Sequence, residues 1–124
     1  MIKIAKRRFP FVKFYKLSSN VLPFPDKYFD FVFSITVLQH NPFNIQDMLI
    51  GELIRVTKPF GYICLLESVA KEGYKQMWFN TYASARSVKE WLLAFKRQGK
   101  IRLIKVKYVR YWLLRDMFRN LLRK

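Results

Sequence analysis

Residues 29–38, FDFVFSITVL, constrain the fold of this chain more than any other stretch. A near-continuous apolar run with β-branched residues predicts a strand buried on both faces, as in a parallel sheet. Asn41-Pro42 then offers a helix N-cap with proline at the first helical position. Ile45, Met48, Leu49, Leu53 and Val56 recur at helical spacing. Gln46, Asp47, Glu52, Arg55 and Lys58 mark the opposite face, and Pro59 and Gly61 end the helix. Residues 62–67 read as a second buried strand. Strand, helix and strand with short joints predict a right-handed βαβ unit, hence a parallel sheet and an α/β fold.

The flanks are less regular. Residues 12–15 are a short strand candidate, and Leu22-Pro23-Phe24-Pro25-Asp26 is an extended loop, since prolines two apart suit neither a helix interior nor a central strand. Residues 68–86 lack a clear period. Their Tyr74, Met77, Trp78, Phe79 and Tyr82 either form a lid over a small molecule or pack on the sheet. Ser87-Val88-Lys89-Glu90 is a capping box that opens a helix through about Gln98, with Gly99 as the stop. Alternation of Ile104, Val106 and Tyr108 with Lys105 and Lys107 predicts a strand at about residues 102–109 with one wet face. At the end, Leu114, Met117, Phe118, Leu121 and Leu122 form an apolar stripe, with Arg115, Arg119 and Arg123 beside it. They predict a basic amphipathic tail helix over 111–124.

A chain of 124 residues makes one domain at most on the usual scale of about 100–200 residues each. No run of about 18 apolar residues occurs, so no transmembrane segment is expected, and no signal-like h-region follows the basic N-terminus. Cys64, the single cysteine, has no partner for an internal disulfide. It reads as core packing, and a reducing cytoplasmic setting fits it. The net charge of +16 lies in the flanks. Residues 1–16 carry six bases and no acid, residues 17–70 a net −2, and residues 71–124 a net +12. Either the flanks meet an anion, nucleic acid or a membrane surface, or they are solvated faces.

Residues 22–41, LPFPDKYFDFVFSITVLQHN, followed by residues 52–67, ELIRVTKPFGYICLLE, resemble the type 11 methyltransferase domain of the class I S-adenosylmethionine-dependent enzymes. That pattern runs through Leu-Pro-Phe, Phe-Asp, a buried strand and a Leu-(His/Gln)-His segment. It then passes along a helix ending Glu-x-x-Arg-Val-x-Lys-Pro-Gly-Gly into the next strand. The resemblance implies a partial Rossmann-like methyltransferase sheet with flanking helices, and methyl transfer from S-adenosylmethionine to an unidentified acceptor. Residues 12–67 are the matched core, 68–110 a C-terminal helix and strand, and 111–124 the tail. Ligands of such sheets bind beyond the carboxyl ends of the strands. Ser34 and Ile35 would lie at such an end, with Gln39 and His40 in the turn beyond it. Together with Ser18, which stands where the family's adenine-holding Asp is expected, and its neighbour Ser19, these are the cofactor-binding residues the resemblance implies.

His40, the only histidine, either faces cofactor or acceptor or makes a local turn hydrogen bond; with no Cys/His cluster it makes no metal site. Asp30 is expected to bond nearby backbone, and Glu52 with Arg55 to form a surface ion pair.

The glycine-rich turn of the family's first strand and the ribose-holding acid have no counterpart in this sequence. The reading is therefore of a truncated methyltransferase piece that alone is not competent. Alternatively, it is a subunit beside another that supplies the cofactor half, or a non-catalytic basic module binding nucleic acid or an anionic membrane surface.

Overall fold

The parallel pair expected from the two apolar runs forms the centre of the computed structural model, which describes residues 2–71, 74–78 and 81–108. The elements are α1 (Ile2–Arg8), β1 (Phe29–Ile35), a 3-10 turn (Leu38–His40), α2 (Phe43–Val56), β2 (Thr57–Leu66), β3 (Tyr74–Trp78), β4 (Thr81–Ala85) and α3 (Val88–Gln98). β1 and β2 pair in parallel, from Phe31 opposite Tyr62 to Ile35 opposite Leu66. β3 and β4 form a separate antiparallel pair. This is the partial Rossmann-like arrangement of strand, helix and parallel strand.

One side of the β1–β2 sheet is covered. Val32, Ile63 and Leu65 pack there against Leu38, Ile50, Leu53, Trp91, Ala94 and Phe95 of the 3-10 turn, α2 and α3. The other side corrects the expectation of strands buried on both faces. Phe31, Phe33 and Tyr62 are each more than half exposed, and Cys64 is exposed rather than in the core. Side chains alternate across a strand, and the described helices supply apolar partners to one face only.

Boundaries moved for local reasons. β1 stops at Ile35 because Thr36 turns to φ 51°, so Leu38 reaches the core from the turn and not from the strand. Pro42, not Asn41, is the N-cap of α2; the Asn41 amide donates instead to the Val37 carbonyl, at 2.9 Å. α2 ends at Val56, before Pro59, where the Thr57 hydroxyl donates to the Leu53 carbonyl and the chain becomes extended. The buried face of α2 is Gln46, Ile50, Leu53 and Val56. Met48, expected inside, is half exposed, and Gln46, expected outside, is fully buried.

In β2 the register slips between Phe29 opposite Thr57 and Phe31 opposite Tyr62, so Lys58, Pro59 and Phe60 bulge out. The bulge brings Lys58 to Asp30, at 3.0 Å, which replaces the backbone bonds expected of Asp30. A Cβ at Gly61 would lie 2.9 Å from the carbonyl oxygens of Asp30 and Lys58. Glycine is required here by close backbone approach.

The capping box of α3 is present: the Ser87 hydroxyl accepts from the Glu90 amide, and the Glu90 carboxylate accepts from the Ser87 amide. Gly99 ends α3 in an extended conformation, so its smallness serves its approach to Ile54. Residues 12–15 form no strand; Tyr15 packs edge-on against Phe24. Residues 101–108 are irregular and mostly exposed, not a strand, because no neighbouring strand pairs with them among the described residues. The sequence pattern also passed over α1 and the β3–β4 pair. The predicted tail helix, 111–124, lies outside the described residues. No described helix is long and apolar enough to cross a membrane.

Candidate functional site

Glu67 follows β2 directly and reaches across to the end of β1. Its Oε1 accepts from the Ser34 hydroxyl at 2.8 Å and from the amides of Val37 at 3.1 Å and Leu38 at 3.2 Å. Its Oε2 accepts from the Gln39 amide at 3.1 Å. Three successive N–H groups at a turn make a concave anion seat, and here the protein's own carboxylate fills it. The return contact is the Ser68 amide donating to the Gln39 side chain at 2.8 Å.

The carbonyl side of the same turn is held from β4 and α2. Buried Ser84 donates to the Asn41 carbonyl at 2.9 Å, and the Gln46 amide donates to the same oxygen at 3.0 Å and to Ser84. Arg86 locks Gln46 in place by donating to its Oε1 at 2.9 Å, while pairing with Asp47 at 2.7 Å. The Arg86 guanidinium sits over the rings of Phe43 and Trp91. A buried arginine is tolerated only when its donors and charge are matched in this way.

Of the sequence-derived candidates, Ser34, Gln39 and His40 are brought together here. Ser34 is buried and serves the turn. The Gln39 amide nitrogen stands 3.4 Å from His40 Nε2, and His40 is exposed. Ile35 is half-buried as the last residue of β1. Ser18 and Ser19 are exposed in the preceding loop, where the Ser19 hydroxyl accepts from the Val21 amide. Among the described residues no hydrogen bond or ion pair joins these two serines to the turn.

The loop that carries Ser18 and Ser19 is nevertheless tied down just beyond them. Arg55 forks onto Glu52 with two contacts of 2.7 Å and donates to the carbonyls of Leu22 and Phe24 and to Asp26 at 2.8 Å. Glu52 accepts from the Leu22 amide at 2.7 Å. The expected surface pair is thus a clamp that fixes the loop to α2. The Arg55 guanidinium holds the Glu52 carboxyl below its ordinary range, against the opposing effect of burial, and Glu52 in turn raises Arg55.

Sequence reading missed Glu67, Gln46, Ser84 and Arg86. For Glu67 the signal was an acid closing the apolar run YICLLE at the carboxyl end of a parallel strand. For Gln46 it was a polar residue four before Ile50 and seven before Leu53, on the same helical stripe. Among the described residues no three His, Cys, Asp or Glu side chains gather as a metal site would require.

Against known proteins, a family model described as a methyltransferase domain matches residues 1–65, just over half of the 124 residues. No curated protein matches the chain.

Proposed function

Because the chain belongs to the methyltransferase domain family, whose chemistry is methyl transfer from S-adenosylmethionine, we propose that the carboxyl ends of β1 and β2 form one wall of its cofactor and acceptor pocket. The observation that carries the reading is the Glu67 carboxylate, whose four hydrogen bonds arrange residues 34–39 at the strand end. That is where ligands of a parallel sheet bind. In this reading Gln39 and His40 face cofactor or acceptor, Ser34 and Ile35 set the turn that carries them, and Ser18 and Ser19 offer hydroxyls to the adenine side.

The residues present fit one side of the cofactor. A cradle of bare backbone is lacking among the described residues: Gly51 lies within α2, Gly61 in the β2 bulge and Gly99 at the end of α3. The cofactor, when bound, supplies an activated methyl group. The protein's part in such a displacement is orientation and exclusion of water more than proton transfer, and a turn whose backbone groups are already engaged is suited to it. The missing cradle is supplied by another polypeptide segment. A reducing cytoplasmic setting suits the free, exposed thiol of Cys64.

Isothermal titration with S-adenosylmethionine tests this. The chain alone should show no useful affinity, and addition of a glycine-rich methyltransferase half should create it. Micromolar binding by the chain alone would overturn the need for a second segment. Binding in the mixture that is unchanged by Gln39→Ala with His40→Ala would overturn the wall.

A further inference from the structure

An open cleft of about 1980 Å³ is lined along its length by β2 and by residues 100–108. We propose that this cleft, which at one end meets the turn of Gln39 and Glu67, is a binding surface for single-stranded nucleic acid; the argument for it does not rest on the methyl-transfer reading.

Charge is the first argument. Lys27, Lys100, Arg102, Lys105 and Lys107 line the cleft, and none of them has an ion-pair partner among the described residues. The two carboxylates in the lining are already engaged, Asp26 by Arg55 and Glu67 by Ser34 and three amides. Residues 100–108 hold four cations and no acid. The free charge of the cleft is therefore positive throughout, the complement of a phosphate backbone.

Exposed rings are the second. Phe60, Tyr62 and Tyr108 line the same cleft and are 101%, 58% and 75% exposed. Phe60 is held outward by the bulge at φ 65°, a conformation bulky side chains avoid. Cations that track a backbone, with aromatic faces between them, are what single-stranded nucleic acid requires, since every base offers a π-face to stack. A paired duplex keeps its bases stacked on each other and does not use such rings. A membrane surface calls for apolar groups along one face of an amphipathic helix, whereas these exposed rings and cations stand along the rim of an open cleft.

The test is fluorescence anisotropy of the full chain with a fluorescein-labelled single-stranded oligouridylate across a salt series, with each variant's fold checked by circular dichroism. Lys105→Gln with Lys107→Gln should weaken binding and flatten the log–log salt slope by about 1.4, two contacts at about 0.7 each. Phe60→Asn with Tyr62→Ser should weaken binding about tenfold at an unchanged slope. Lys3→Gln with Lys6→Gln removes the same charge from α1 and should change neither. The proposal is overturned if that α1 variant loses as much as the cleft variant, or if the aromatic variant binds as the wild type does. It is also overturned if a duplex of the same length binds as tightly, or if anionic vesicles displace the oligonucleotide.

Discussion

At Phe60 and Gly61 the chain departs by one side chain from the pattern it otherwise resembles, which has two glycines after the proline. Phe60 occupies the left-handed region at φ 65° with its ring wholly in solvent, so no described contact offsets the conformational cost. Such a backbone costs a non-glycine residue about 1–2 kcal/mol, partly offset by glycine's greater freedom when unfolded. Phe60→Gly should therefore leave thermal stability equal or raise it, by up to about 1 kcal/mol. Gly61→Ala has the opposite sign, because its new methyl meets backbone oxygen at 2.9 Å. A loss of about 1–3 kcal/mol is expected, measured by urea denaturation beside the wild type. Glu52 is read through pH. Its carboxyl is held below the ordinary value of 4.5, so its stabilisation is complete above that value and fades as pH falls through the depressed one. Glu52→Gln should give a flatter acid limb in melting temperature against pH, and identical limbs would refute the clamp.

Among the elements, the 3-10 turn depends on groups outside itself. The amides of residues 37–39 are held by Glu67, just after β2, and the carbonyls of Gln39 and Asn41 by Ser84 and Gln46 from β4 and α2. Glu67→Gln puts an amide NH₂ where one carboxylate oxygen stood, and so sets a donor against a donor. Hydrogen exchange should quicken about tenfold or more at some of residues 37–39, since a lost charged hydrogen bond is worth about 1.5–3 kcal/mol. Protection in the β1–β2 ladder should be unchanged. Equal protection in variant and wild type would mean that the turn holds without Glu67. Gln46→Leu keeps the size of a fully buried side chain but leaves the Arg86 Nε without its acceptor and the Asn41 carbonyl with Ser84 alone. A buried donor left unsatisfied costs about 1–3 kcal/mol, so a loss of that order is expected in denaturant unfolding. A neutral result would show that Asp47 and the flanking rings satisfy Arg86 unaided.

For the whole molecule, the open sheet governs behaviour in solution. Among the described residues β1 pairs with β2 on one side only, and Phe31 and Phe33 are exposed beside the edge left open there. An open apolar strand edge is a template for pairing. Repulsion from a net charge of +16 opposes association at low salt, but its reach shrinks to about 8 Å at physiological ionic strength. Salt-promoted self-association is expected, relieved by a glycine-rich methyltransferase half added as a separate polypeptide. Light scattering across a salt series is the measurement. A monodisperse monomer with a cooperative melt at physiological salt would contradict it.

The strand–helix–strand core and its parallel pairing were legible in the residues themselves, because apolar runs and helical spacing are local and the capping box closes within four positions. The family was legible for the same reason, through Leu-Pro-Phe and Glu-x-x-Arg-Val in order at the right spacing. Tertiary structure alone decided which face of the sheet is covered, since that depends on where helices lie and not on the strand's own pattern. It also decided the fate of Glu67, Gln46, Ser84 and Arg86, which bond to partners 28 to 45 residues away in the chain. Hydrogen bonds of that range leave no periodic trace. Glu67 read as the end of a strand and Gln46 as a solvent-facing position until the fold set each against the turn between β1 and α2.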